Sequence, residues 1–390
     1  MKRLLCFALL VWTGVCLNGC GAKKETKKEA VVKIALVCPL TGDIAAMGQG
    51  MKNAAVLAIE EANQNKVIKD TRFELVALDD RADPKEAVSA ATQIVSDKKI
   101  FGVVGHLNSG CSIPASAVYN RHNIVMISPA STNPKLTFQG FKNVLRTCTT
   151  DDVQGSFAAG FIYKSNNFTP LEKKERNSLT GFTKVAVIHD KTPYGQGLAE
   201  EFKKTFQGLG GIIVCFEGVS LGDRDFKALL IKIKNLNPQA IYFGGMYQEA
   251  GLISKQAKQL GLDVPLVGGD GIYSSEYIKI AGNASEGDLA TMIGLPPEKL
   301  SKSKDFVEKY KSRFPNRDMQ PYDPYTYDTV NIIIEAVKNT GRDKTKIIEY
   351  IKDMKYEGII GVTQFDDKGD TLNKEITCYE VKNGRWTIAK

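Results

Sequence analysis

The stretch Ile100–Asn120 reads IFGVVGHLNSGCSIPASAVYN. Ile100–Val104 is a short, apolar, β-branched run of the kind that forms a strand buried on both faces. Cys111–Asn120 reads as a helix, and Gly105-His106-Leu107-Asn108-Ser109-Gly110 joins the two. A buried strand feeding a helix through a short turn is one half of a parallel crossover unit. The same alternation extends outward on both sides. Strands are predicted at Lys33–Cys38, Phe73–Leu78 and Asn123–Ile127, with helices at Met47–Asn63 and Pro84–Asp97. Asp83-Pro84 is a strong helix start, an N-cap residue followed by proline at the first helical position. After residue 180 the rhythm restarts, with strands at Lys184–His189, Gly211–Phe216, Ala240–Phe243 and Val264–Val267. The intervening helices are predicted at Gly195–Gln207, Phe226–Asn235 and Glu249–Leu260. The pattern predicts an α/β fold of two similar doubly wound units with parallel sheets. Residues 165–182 are polar and lack periodicity, which predicts a surface loop between the units. Beyond residue 300 come helices at Lys302–Phe314, Tyr325–Asn339 and Lys344–Asp353, then three closing strands near 359–365, 375–381 and 385–389.

The length of 390 residues fits two or three domains, and 43% hydrophobic with 25% charged residues fits a folded globular protein. The formal charge of +8 invites a nucleic-acid reading, but its distribution argues against one. Most of the excess lies before residue 34, in Lys2, Arg3, Lys23, Lys24, Lys27, Lys28 and Lys33 against Glu25 and Glu29. No dense basic stripe follows, as a nucleic-acid face requires. Lys2-Arg3 and the apolar run Leu4–Val15, too short to span a bilayer, form an export signal. Leu17-Asn18-Gly19-Cys20 resembles the lipobox of bacterial lipoproteins. That implies removal of residues 1–19, acyl chains on Cys20 as a durable membrane anchor, and a charged tether over residues 20–30. No later segment reaches eighteen consecutive apolar residues, so the mature chain is expected to be soluble beyond its anchor. Five of the eight cysteines then remain: Cys38, Cys111, Cys148, Cys215 and Cys378. None forms a Cys-x-x-Cys pair, which gives no support to a zinc or dithiol site. Cys38 and Cys215 sit in apolar runs and are expected to be buried thiols.

The enzyme motifs are missing. There is no Gly-Lys-Ser/Thr phosphate loop, no Gly-x-Ser-x-Gly and no His-Glu-x-x-His. Gly48-Gln49-Gly50 and Gly195-Gln196-Gly197 lack the third glycine of a dinucleotide fingerprint. His106, His122 and His189 stand far apart in sequence and are expected to be structural. Asp79-Asp80, at a strand end, is expected to bond the following turn. What stands out instead is a set of strand-to-helix turns, the places where ligands bind in open parallel sheets. Val104–Pro114 opens a helix and carries Ser109; free amides and the helix dipole favour an anion there. Ile127-Ser128-Pro129-Ala130-Ser131-Thr132-Asn133-Pro134 adds hydroxyls and further amides. Gly268-Gly269-Asp270-Gly271 places one carboxylate among small residues in the second unit. An anion-binding side on one unit and a carboxylate on the other suit a zwitterion between them.

These turns carry a resemblance. The order Ile34-Ala35-Leu36-Val37, Pro39-Leu40-Thr41-Gly42, Gly105-His106-Leu107, Ile127-Ser128-Pro129-Ala130, Ile188-His189-Asp190-Lys191, Tyr242-Phe243-Gly244-Gly245 and Phe365-Asp366 is similar to that of the leucine/isoleucine/valine-binding proteins of bacterial ABC importers. The match runs in register from about residue 31 to the C-terminus, with the stretch near 165–182 as an insertion. It implies the type I periplasmic-binding-protein fold, two lobes joined by three crossovers near Asp151, Ile293 and Leu372. The N-terminal lobe would take 31–150 and 294–372, and the C-terminal lobe 151–293 and 373–390. By the same resemblance the ligand carboxylate meets Ser109, Ala130 and Thr132. Its ammonium meets Asp270, where the family usually has glutamate. Tyr194 covers the ligand, and Tyr322 lines the side-chain pocket or hinge. Met47 and Met246 stand at positions often aromatic in the family and leave the pocket's size open. The family's disulfide positions fall on Ala82 and Asn108, so that bridge is absent.

The implied function is a lipid-anchored extracytoplasmic receptor. It would capture an aliphatic, branched-chain L-amino acid between closing lobes and deliver it as a monomer to an ABC permease, with no cofactor, metal, nucleic acid or catalysis. A sensory receptor of the same fold is the alternative; a hydrolase is disfavoured because no base–nucleophile pair stands beside the site.

Overall fold

The computed structural model describes residues 29–163 and 181–389. The expected signal, Cys20 and nearly all of the tether lie outside those residues, as does the expected loop from 165 to 180. In chain order the elements are β1 (Ala30–Cys38), α1 (Ala45–Gln64), β2 (Thr71–Asp79), α2 (Pro84–Ser96), β3 (Ile100–Gly105), α3 (Ser109–Arg121), β4 (Val125–Ser128), α4 (Lys135–Phe138), β5 (Val144–Arg146) and α5 (Asp151–Ile162). There follow β6 (Lys184–His189), α6 (Pro193–Gly208), β7 (Ile212–Gly218), α7 (Lys227–Asn235), β8 (Ala240–Gly244), α8 (Tyr247–Gln259), β9 (Leu266–Gly268), α9 (Ser275–Ala281) and β10 (Leu289–Ile293). The last elements are α10 (Ser303–Arg313), α11 (Asp323–Thr340), α12 (Lys344–Asp353), β11 (Tyr356–Gly358), β12 (Gly361–Thr363), β13 (Ile376–Lys382) and β14 (Arg385–Ile388).

Two sheets carry the fold. The first has the order β2-β1-β3-β4-β5 and is parallel throughout. The second has the order β14-β13-β10-β9-β8-β6-β7; it is parallel from β7 to β10, and β13 and β14 close it in antiparallel fashion. Helices on both faces explain why β3, β4 and β8 are buried along their whole length and read as unbroken apolar runs. The tail helices return to the first sheet: α11 packs on α1, and Ile333 fills the space over Gly102 in β3. Arg313 forks onto Glu60, with both nitrogens 3.0 Å from its carboxylate. Chain reversal at the top of β3 needs glycine, because Gly105 has φ of +137° and a Cβ there would lie 2.3 Å from the Val37 carbonyl oxygen.

Three readings are corrected. The strand expected near 359–365 shortens to β12, which pairs in a hairpin with β11, a strand that was not expected. The amides of Ile359 and Ile360 turn inward to the buried Asp328 carboxylate, at 3.1 and 2.9 Å, rather than into a ladder. Cys215 is only partly buried, because β7 is a sheet edge, whereas Cys38 is fully enclosed. His122 is exposed at the end of α3, while His106 is held inside by Asp80 at 2.7 Å and Tyr119 at 3.1 Å.

Several buried carboxyls are pushed upward by desolvation: Asp190 to about 6, Asp288 and Asp328 to about 7, and Asp323 to about 8. Each would ionise near 3.9 in the unfolded chain. Folding therefore takes up protons between roughly pH 4 and 8, and stability from these groups is greatest at the acid end. The melting temperature should be higher at pH 5 than at pH 8. Equal melting at the two pH values would contradict this distribution of buried acids.

Candidate functional site

The carboxyl ends of β3 and β4 lead directly into the two turns singled out in the sequence. Ser109 opens α3, is fully buried, and its hydroxyl accepts from the Asn133 amide at 3.2 Å. Ser128, at the end of β4, donates to the His106 carbonyl at 2.8 Å and accepts from the amides of Ala130 at 3.3 Å and Ser131 at 2.9 Å. The hydroxyls of Ser112 and Ser131 lie 2.6 Å apart and complete the stitch between the two turns. Ser109, Ala130 and Thr132 thus belong to one cross-linked surface. The Thr132 hydroxyl is buried, faces the Asp151 carboxyl and makes no hydrogen bond of normal geometry.

Arg146, which sequence reading did not single out, underpins this surface. Its guanidinium is fully buried, lies 2.6 Å from Asp370, and donates to the carbonyls of Ser131 at 2.8 Å and Asn133 at 2.9 Å. A further nitrogen reaches the Thr137 hydroxyl at 2.7 Å. Three of these acceptors lie in 131–137, so one cation fixes the loop that presents Thr132. Only its place on a short buried strand marked it, and an arginine in such a run gives no periodic signal.

The second sheet supplies the opposite side. Asp270 follows β9, in the turn preceding α9, and is fully buried. Its Oδ1 accepts from the Tyr194 hydroxyl and its Oδ2 from the Tyr322 hydroxyl, each at 2.8 Å. Tyr194 comes from the start of α6 and itself accepts from the Gly271 amide at 2.9 Å. Tyr322 stands immediately before α11, which packs on the first sheet, so Asp270 is bonded from both sides of the molecule. Burial pushes the Asp270 carboxyl up, and the bonds from Tyr194, Tyr322 and the neighbouring Gln154 amide oppose it. A carboxylate has about four acceptor sites, and the two tyrosines leave room for a cationic donor.

Met47 in α1 and Met246 at the N-terminus of α8 are both buried. The turn just before α1 is bridged to the first turn of α8, where the Tyr247 hydroxyl donates to the Asp43 carbonyl at 2.9 Å, and to the segment between β7 and α7, where Arg224 lies 2.6 Å from the Asp43 carboxylate. Asn133 adds another cross-link, donating to the Pro193 carbonyl at 2.5 Å. The structure therefore brings Ser109, Thr132, Tyr194, Asp270 and Tyr322 into one bonded neighbourhood. Sequence reading missed Asp151 and Gln154 as site neighbours. Asp151 begins α5 with its amide 3.0 Å from the Thr132 carbonyl, and Gln154 donates to the Thr291 carbonyl at 3.0 Å.

A separate cavity of about 600 Å³ lies on the other flank of the 270–275 and 318–325 segments, lined by Tyr273, Met292, Phe306, Met319, Tyr325 and Trp386 among others. None of the site residues lines it. Among the described residues no cluster of three or more His, Cys, Asp or Glu is arranged to hold a metal ion, and no helix is long and apolar enough to cross a membrane.

The site can be compared with known proteins. The family model described as periplasmic binding protein matches residues 31–385. The leucine-, isoleucine-, valine-, threonine- and alanine-binding protein of Pseudomonas aeruginosa is 37% identical over 90% of this chain and 89% of its own. Leu/Ile/Val-binding protein homolog 1 of Brucella suis is also 37% identical, over 91% of each chain. Among solved structures, the leucine-binding protein LivK of Thermotoga maritima has a TM-score of 0.81 at 32% identity, covering 92% of this chain and 98% of that one. The branched-chain amino acid substrate-binding protein LivJ of Streptococcus pneumoniae, in complex with isoleucine, has a TM-score of 0.82 at 26% identity, covering 92% and 99%.

Proposed function

Because the chain belongs to the periplasmic binding protein family, we propose that it captures a branched-chain aliphatic L-amino acid between its two lobes and hands it to an ABC importer. It is a transport binding protein and not an enzyme. The observation that carries the ligand reading is the buried Asp270, bonded by Tyr194 and Tyr322, across from the stitched turns of Ser109, Ala130 and Thr132. Those turns suit the α-carboxylate, which needs several donors once it leaves water. Asp270 suits the α-ammonium. Tyr194 comes over the ligand with the second lobe, and Tyr322 meets Asp270 from the first. Met47 and Met246 are adaptable side chains, and as lining of the side-chain pocket they suit a range of aliphatic groups.

The lobes take 31–150 with 294–372 and 151–293 with 373–390, and they close about the crossovers at Asp151, Ile293 and Leu372. The carboxylate docks first on the more preformed first-lobe turns, and closure then delivers Asp270. Hinge closure of this kind requires the ligand to favour the closed state. The protein acts as a monomer in the periplasm or cell envelope, held to a membrane through lipid on Cys20. Calorimetry of unfolded and refolded, ligand-stripped protein against all twenty L-amino acids tests the reading. Micromolar or tighter binding of leucine, isoleucine or valine is expected, and binding of no amino acid would overturn it.

A further inference from the structure

We propose that Asp151 is a second carboxylate for the ligand's α-ammonium, acting with Asp270; this rests on the reading of the site as an amino-acid cleft. Asp151 is fully buried, and neither of its carboxylate oxygens has a hydrogen-bond partner of normal geometry in the protein. Its position is fixed, since its amide donates to the Thr132 carbonyl at 3.0 Å. The equally buried hydroxyl of Thr132 faces that carboxyl but likewise makes no hydrogen bond of normal geometry. On the other side α6 comes close: a Cβ at Gly197 would lie 3.3 Å from Asp151 Oδ2. The carboxyl is pushed well up, first by burial and further by the charge of Asp270, with Thr132 and Arg146 opposing.

Arg146 does not neutralise Asp151 directly. Its guanidinium is committed to Asp370 and to the Ser131, Asn133 and Thr137 oxygens. A role for Asp151 in offsetting the helix dipole of α5 explains little, because the exposed Asp152 already supplies an acid in that first turn. A buried carboxylate met only by a hydroxyl out of normal hydrogen-bond geometry is a costly feature to keep. A cation placed between Asp151 and Asp270 relieves both. An ammonium has three N–H donors, and Asp151, Asp270 and the Thr132 hydroxyl are three acceptors drawn from both sides of the hinge. The shorter arm of Asp270, where relatives are expected to carry glutamate, then has a partner across the cleft.

The test uses the ligand-stripped full chain, with Asp151→Asn and Asp270→Asn measured against wild type for L-leucine affinity and for melting temperature without ligand. Asp151→Asn should weaken leucine binding at least tenfold while leaving the melting temperature unchanged or raised, because it removes an acidic group that is costly to ionise where it is buried. Leucine affinity within threefold of wild type would overturn the proposal, as would weaker binding accompanied by a lowered melting temperature, which marks a structural role. If wild type binds no amino acid, the cleft reading and this inference fall together. If Asp270→Asn weakens leucine and Asp151→Asn does not, only this inference falls.

Discussion

Asp270→Asn weakens the binding of a neutral α-amino acid by about 2–5 kcal/mol, a loss between roughly thirtyfold and several thousandfold. The effect is large because the carboxylate has no exposure, so an ammonium opposite it has no water to fall back on. The substitution nearly preserves shape and keeps an acceptor for one of the two tyrosine hydroxyls, while the other must turn to accept from the new NH2, so most of the cost falls on charge pairing with the ligand. The loss should appear mainly in the dissociation rate, since the interaction forms as the lobes close. Titration calorimetry with leucine measures it. Wild-type affinity in this variant would remove the ammonium assignment.

Arg146→Met destabilises the fold by about 3–5 kcal/mol, because it leaves Asp370 buried beside an apolar side chain. The carbonyls of Ser131 and Asn133 lose their donor at the same time. The loop carrying Thr132 should loosen, so ligand affinity falls even though Arg146 is placed behind the site rather than in it. Denaturant unfolding reads the first effect and leucine titration the second. A companion Asp370→Asn variant separates the two, since it keeps the guanidinium on the loop carbonyls. It should retain more binding than Arg146→Met at comparable stability loss, and equal binding in both variants would contradict the bracing role.

Much of this was legible in the chain because each sheet buries its central strands on both faces. Ile100–Val104 is apolar throughout and Lys184–His189 is so across Val185–Ile188, and both are strands within a residue of the expected limits. Sequence reading failed where side chains bind backbone at long range. Asp328 draws in the amides of Ile359 and Ile360, and nothing local to 359–365 signals that. β10, Leu289–Ile293, was missed because a five-residue apolar run has no period that separates strand from helix. At the site, Ser109, Thr132 and Asp270 were visible because they sit in turns after strands. Tyr322 is held against Asp270 from a distance of 52 residues along the chain, a pairing the resemblance placed only as a pocket or hinge aromatic. Asp151 and Arg146 were hidden for a common reason. Their importance lies in burial without, or with, a partner, and burial of a single charged residue is set by the tertiary fold rather than by its neighbours in sequence.

The central claim is that an amino acid lies across the two lobes, with its charged ends held by opposite sheets. A crystal structure of the protein grown with L-leucine tests this most directly. The expected result places the ligand carboxylate within hydrogen-bond reach of Ser109, Ala130 and Thr132, and the ammonium within about 3 Å of the Asp270 carboxylate. Leucine bound in the reverse orientation, or seated instead in the cavity lined by Phe306, Met319 and Trp386, would contradict it.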